Sequence, residues 1–229
     1  SKITSKTRLI IINSPNNPTG SVMTKEELKQ TYEIAEKHDL YLYSDEIYAR
    51  MIYDNSKFNS PSKYDKCKKR VIISNGFSKS FAMTGWRLGT LVANPTISKA
   101  VASLQSQTTS NATTFSQYGA LAALEGPQDA VLKMKDEYDL RRKFCMKALD
   151  DIGFTYGDPG GAFYIYTNVS NSGLSASLFC KNLLEKTGVL LFPGTLFGDT
   201  EDKYIRLSYL QPIDKIEESM KRIKSFVKS

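Results

Sequence analysis

Apolar positions along the chain fall into two periods, and they alternate in an order typical of an α/β sheet. Leu9, Ile10, Ile11 and Ile12 are contiguous and mostly β-branched, which predicts a buried strand over 8–13. A Pro/Asn/Gly loop, Ser14 to Gly20, follows it. Thr24-Lys25-Glu26-Glu27 has the form of a capping box, and Leu28, Tyr32 and Ala35 continue at helical spacing to about His38. Further strands are predicted at Leu40–Ser44, Val71–Ser74 and Leu88–Ala93, with loop over most of 49–70. Helices follow from Thr96 to about Gln105 and from Thr113 to Leu124. The longest helical pattern covers Asp129–Asp151, with Gly153 closing it. Beyond it come short strands at Phe154–Tyr156, Ala162–Tyr166, Val189–Phe192 and Tyr204–Ser208. Helices are predicted at Ser175–Lys186 and Pro212–Val227.

The first part therefore reads as βαβ units of a mostly parallel sheet, and the second as a smaller α+β unit. The expected domains are residues 1–130 and 131–229, joined through the long helix. Only about a dozen residues separate Ser74 from Leu88, too few for a right-handed parallel crossover. Strand Leu88–Ala93 is therefore expected to run antiparallel to its neighbour.

Composition narrows the chemistry. The chain has 229 residues and one histidine, His38, which excludes any site built on two histidines. Cys67, Cys145 and Cys180 are odd in number and form no C-x-x-C pair, so reduced thiols of a cytoplasmic protein are expected, with no metal. No apolar run reaches membrane-spanning length, and the polar start lacks the apolar stretch of a signal peptide. The net charge is +7. Its densest basic run, Lys66 to Arg70, has no accompanying recognition pattern, and a solvated loop is expected rather than a nucleic-acid site.

Unusual polar residues collect after the strands. Asn17 follows the first, Asp45 and Tyr48 the second, and Ser78 and Lys79 the third. Arg87 immediately precedes the fourth, whose reversed direction brings it to the same edge. Ligands of open α/β sheets bind outside the carboxyl ends of parallel strands, so these residues converge on one crevice. A lysine near an aspartate can be a plain ion pair. It can also be the amine of Schiff-base chemistry, which must be accessible and neutral to attack a carbonyl. A pyridine-type cofactor would want a carboxylate at its ring nitrogen, a phenol near its hydroxyl and an arginine at its phosphate.

The residues also carry a resemblance. Asn13 to Gly20 (NSPNNPTG), Ser44 to Tyr48 (SDEIY), Ser78 to Gly89 (SKSFAMTGWRLG) and Tyr204 to Tyr209 (YIRLSY) occur in that order. Together they closely resemble the class I/II pyridoxal-phosphate aminotransferases of fold type I, with aspartate/aromatic aminotransferases the nearest group. The resemblance covers essentially the whole chain. It implies part of a PLP-binding large domain in 1–130 and a small C-terminal domain in 131–229. It further implies pyridoxal 5'-phosphate as cofactor, amino acid and 2-oxo acid substrates, and a homodimer to which Gln105–Asn111 contributes.

Carried over position by position, Lys79 holds the cofactor and shuttles the substrate proton. Asp45 faces the ring nitrogen, Tyr48 and Asn17 face the ring oxygen, and Arg87 pairs with the phosphate. Arg206 clamps the substrate carboxylate, aided by Asn17, and Phe163 lines the substrate pocket. Many relatives carry Ser or Thr where this chain has Gly76, so backbone amides or Ser78 are expected to take over that phosphate contact. Asn17–Pro18 is a candidate cis peptide. A β-eliminating C–S lyase or a synthase on the same fold, and the sensor domain of a transcription regulator, are the alternative functions. Family members are longer, and the strand beginning near the first residue is expected to fall partway through the large domain.

Overall fold

The computed structural model describes residues 2–228, and the chain divides into two units. The first comprises residues up to Pro15, Val22–Ile52 and Ser56–Leu132. The second comprises Asn16–Ser21, Tyr53–Asn55 and the chain from Lys133 onward.

The first unit contains β1 (Leu9–Asn13), α1 (Lys25–Lys37), β2 (Tyr41–Asp45), β3 (Val71–Gly76), β4 (Gly89–Val92), α2 (Pro95–Thr108) and α3 (Thr114–Glu125). Its sheet has the order β1-β2-β3-β4. The first three strands are parallel, with Asn13 beside Asp45 and Asp45 beside Ser74. β4 runs antiparallel to β3, pairing Gly76 with Gly89, as the short connection requires.

Helix α1 begins where its sequence says. Thr24 Oγ1 accepts from Glu27 N at 3.2 Å, and the Glu27 carboxylate accepts from Thr24 N at 2.7 Å. Its buried face, Tyr32 and Ala35, packs with Leu40, Leu42 and Val71. The expectation of a fully buried first strand needs correction. Ile10 and Ile12 join that core, but Leu9 and Ile11 do not, and Ile11 is 68% exposed. β1 is an edge strand, and only one of its faces is covered among the described residues.

The loop over 49–70 is held by one carboxylate. Asp65 accepts from the amides of Lys69, Arg70 and Val71 at 2.9–3.0 Å. Burial opposes its charge, but the three amides together win and hold its pKa below the ordinary value. A depressed carboxylate adds stability above the unfolded pKa and loses it as pH falls through the folded one. Asp65→Asn should therefore lower stability at neutral pH, and the difference should shrink as pH falls below about 4. Urea unfolding followed between pH 7 and 3 checks this; a pH-independent difference would refute it.

The second unit contains α4 (Asp129–Ile152, counted here from Lys133), β5 (Thr155–Tyr156), β6 (Tyr164–Asn168), α5 (Ala176–Thr187), β7 (Phe192–Pro193), β8 (Tyr204–Ser208) and α6 (Ile213–Lys228). Its antiparallel sheet has the order β5-β6-β8-β7. The core behind it is made by Cys145, Leu149, Ile165, Phe179, Leu183, Ile205 and Ile223, all essentially inaccessible. Burial pushes the thiols of Cys145 and Cys180 up to about 12, so both are inert packing groups. The strand expected at Val189–Phe192 is shorter than its apolar run. Only Phe192 and Pro193 pair with β8, while Leu190 is exposed.

Candidate active site

The carboxyl end of the first unit's sheet carries Asp45, Tyr48, Ser78, Lys79 and Arg87. Asp45 is the last residue of β2. Its carbonyl accepts from Asn13 Nδ2 at 3.1 Å and Ser14 N at 3.2 Å, which ties it to β1. Its Oδ1 accepts from Ile47 N at 3.1 Å, closing a tight turn that fixes the carboxylate's orientation. Tyr48 follows within that turn with its side chain buried, and Met51 N donates to its carbonyl.

Ser78 and Lys79 lie in the compact turn after β3. Phe81 N and Met83 N both donate to Phe77 O, and Ala82 N donates to Lys79 O. Both residues are half-buried. Phe77 and Met83 pack with Ala120 beneath the turn, so the lysine stands on a supported loop. Arg87 precedes β4 with φ +52°, and its Nη1 donates to Thr84 O at 2.9 Å. The register Asp45–Ser74 and Gly76–Gly89 sets Asp45, Lys79 and Arg87 at the same end of one sheet.

Gly76 is closely packed. A Cβ there would lie 3.1 Å from Ile47 Cδ1 and 3.3 Å from Leu88 O, a tight fit that a larger side chain would meet only with a small shift of its neighbours. The Gly76 amide donates to Asn75 Oδ1, and that of Phe77 to Leu88 O. These two amides are thus engaged within the sheet and the turn.

Asn17, Phe163 and Arg206 belong to the second unit. The loop 16–21 is anchored there by Gly161 N donating to Gly20 O at 2.8 Å. Gly20 has φ +72°, and a Cβ on it would come within 2.5 Å of Tyr164 O, so no other residue fits. The Asn17–Pro18 bond is cis, as is Ser14–Pro15.

Asn17 Oδ1 accepts from Arg206 Nη1 at 3.0 Å. Arg206 stands on β8, and its guanidinium carbon lies 4.5, 4.7 and 5.1 Å from the ring centres of Phe197, Tyr164 and Phe192. Its Nε is buried with no hydrogen-bond partner among the described residues. Such an arginine, walled by ring faces and with an orphaned donor, matches a planar carboxylate. Phe163 is 4% exposed and packs on Tyr138 and on Tyr164, whose ring lies against Arg206.

The three rings around Arg206 escaped the sequence reading. Register carries the missing signal: Phe192 is directly opposite Arg206 across β7–β8, and Tyr164 is its diagonal neighbour across β6–β8. Phe197 comes from the turn after β7 and has no such signal. Among the described residues there is no group of three or more metal-ligating side chains.

This donor set fits a phosphorylated pyridine aldehyde. Its residue types are the ones such a group needs: a lysine for the aldehyde, a carboxylate for a ring nitrogen and an arginine for a phosphate. It does not resemble a metal centre or a Gly-rich nucleotide loop.

The comparisons with known proteins give the class to which this sheet and its residue set belong. The sequence model for aminotransferase class I and II matches residues 1–223. The chain is 40% identical over 228 residues to aromatic-amino-acid aminotransferase 2 of Thermococcus litoralis, covering 99% of this chain and 59% of that protein. It is 41% identical over 232 residues to an aspartate aminotransferase of Bacillus subtilis, covering 98% of this chain and 58% of that protein. The crystal structure of an aromatic aminotransferase from Pyrococcus horikoshii superposes with a TM-score of 0.95 at 40% identity, over 99% of this chain and 61% of that one. The chain belongs to the class I and II aminotransferases and has their fold type I architecture. It spans a little under three fifths of the length of the curated relatives it matches.

Proposed function

We propose that the protein transfers an amino group between an α-amino acid and a 2-oxo acid, with pyridoxal 5'-phosphate as cofactor. The observation that carries this reading is the placement of Asp45, Lys79 and Arg87 at one end of a single sheet in a chain of this family. When bound, the cofactor supplies an electron sink for the pair left on the substrate Cα.

The residues do the rest. Lys79 would hold the cofactor through its Nζ and would serve as the group that takes and returns the substrate Cα proton. The Asp45 carboxylate, oriented by Ile47 N, would keep a proton on the cofactor's ring nitrogen. Tyr48 and Asn17 would be the partners of the cofactor's ring oxygen. Arg87 and Ser78 hold the phosphate. Arg206 binds the substrate α-carboxylate bidentately, its rings excluding water. Phe163 shapes the substrate site through Tyr164.

The protein acts as a homodimer in the cytoplasm. α2 supports the dimer: it has no buried residue, and its Leu104 is 64% exposed. No helix among the described residues is long and apolar enough to cross a membrane.

Incubation with pyridoxal phosphate, an amino acid and a 2-oxo acid tests the reading by product analysis. Transamination yields the exchanged pair of acids. Release of pyruvate and ammonia from a cysteine conjugate without added 2-oxo acid would overturn it in favour of a lyase. Cofactor binding without turnover would point to a sensor domain.

A further inference from the structure

The carbonyl of Ala162 is held by two buried phenols that the proposed chemistry does not use. Ala162 is inaccessible and has φ +58°, the left-handed region, which disfavours a residue with a Cβ. Its carbonyl accepts from Tyr53 Oη at 2.7 Å and from Tyr209 Oη at 3.2 Å, and both side chains are essentially inaccessible. One donor would be enough to satisfy that oxygen, and here both of its lone pairs are taken. The neighbouring backbone is tied as closely. Tyr53 N donates to Gly160 O at 2.9 Å, Gly161 N to Gly20 O at 2.8 Å and Tyr209 N to Phe163 O at 3.3 Å.

The segments joined in this way carry the candidate carboxylate site. Loop 16–21 brings Asn17, segment 160–164 brings Tyr164, and Tyr209 is the first residue past β8, the strand of Arg206. Asn17 Oδ1 accepts from Arg206 Nη1, and the Tyr164 ring centre lies 4.7 Å from the guanidinium carbon. A strained residue persists where its surroundings over-determine it. What this one sets is the course of the chain into Phe163 and Tyr164.

We propose that Tyr53 and Tyr209 are positioning residues for substrate: their hydroxyls hold the Ala162 backbone in its left-handed turn, and that turn sets Tyr164 and Asn17 against Arg206. This rests on the reading of Arg206 as the partner of the substrate carboxylate. The phenols act through Tyr164 and Asn17, without touching substrate. Either hydroxyl alone still leaves the carbonyl one donor, and only loss of both orphans a buried acceptor.

The test titrates 2-oxoglutarate into isotopically labelled protein and follows the nitrogen resonance of Arg206 Nε, identified by its loss in Arg206→Lys. This readout needs neither cofactor nor turnover, and Nε has no hydrogen-bond partner among the described residues to mask the shift. Tyr53→Phe and Tyr209→Phe keep both rings and should each weaken binding about threefold, whereas the double variant should weaken it about thirtyfold, more than the product of the two. Amide exchange at positions 53 and 161 should quicken with the loss, while exchange at Leu183 and Ile223 in the core stays as in wild type. Ala162→Gly, added to the double variant, removes the penalty of φ +58° and should recover part of the affinity. If the double variant fails to fold, the single variants carry the same comparison at smaller amplitude.

Wild-type affinity in the Tyr→Phe variants would overturn the positioning role. So would a loss matched by faster exchange at Leu183 and Ile223, which is general loosening, or a loss that Ala162→Gly leaves untouched. A wild-type Arg206 resonance that does not respond to 2-oxoglutarate is a different result: it removes the reading of Arg206, and the positioning role with it.

Discussion

Lys79→Ala is expected to abolish the covalent attachment of pyridoxal phosphate and to lower turnover by about 10⁴-fold or more, because one amine is both nucleophile and proton carrier. The measurement is direct. Borohydride reduction of wild-type protein with cofactor should leave a stable adduct on Lys79, located by peptide mass spectrometry. The visible absorption and the adduct should both vanish in the variant. Folding should survive, because the turn is closed by backbone bonds at Phe77 and Lys79 and by packing of Phe77 and Met83, none of which needs the ammonium. Lys79→Arg separates charge from nucleophilicity: it keeps the cation and should still fail. An adduct on another lysine, or full activity in Lys79→Ala, would sink the assignment.

The place of Lys79 in the turn after β3 was legible in sequence because motif and topology pointed the same way. The gap between Ser74 and Leu88 forced β4 to reverse, and reversal alone brings Arg87 to the edge where Asp45 ends. Helix α1 was legible down to its cap, since a capping box is local chemistry. What failed was whatever depends on neighbours. Four contiguous apolar residues at Leu9–Ile12 do not say how many strands flank them, and Ile11 is exposed at an edge. The apolar run Val189–Phe192 does not say where pairing starts, and only Phe192 and Pro193 pair.

The candidate substrate site shows the same division. Arg206 was found by motif, but its partner Asn17 is 189 positions away, and no periodicity links the two. Two of its three rings follow from sheet register once the strands are known. Phe197 follows only from the fold of the turn after β7. Gly76 looked like a departure from the family pattern. Its close neighbours, Ile47 and Leu88, are residues that sequence alone does not bring together.

The largest expected loss of stability comes from Arg142, which no motif marks. Its side chain is 1% exposed. The guanidinium pairs with Asp139 at 2.7 Å and with Asp54, and lies 5.0 Å from the centre of the Tyr53 ring. Tyr53 Oη donates to Ala162 O at 2.7 Å, so the cluster ties segment 53–55 to the chain before β6. Arg142→Ala removes a buried cation from two carboxylates and opens a cavity under Tyr53, and should cost about 3–5 kcal/mol. Arg142→Met should cost less. It refills the volume beside Met146, and the partly exposed Asp54 and Asp139 can rehydrate. Acid separates the ionic part from the packing part. The hydrogen bond from Arg142 is the main cause that holds Asp54 below its ordinary pKa, so the stability it contributes is present at neutral pH and lost as pH falls through that depressed value. The gap between wild type and Arg142→Met should therefore narrow from pH 7 towards pH 3. Hydrogen exchange at Ile165 and Leu183 is the suitable measure, since it reports the second unit by itself where a global unfolding curve would mix two units. A gap that stays constant across that range would assign the whole effect to packing and remove the ion pair from the account.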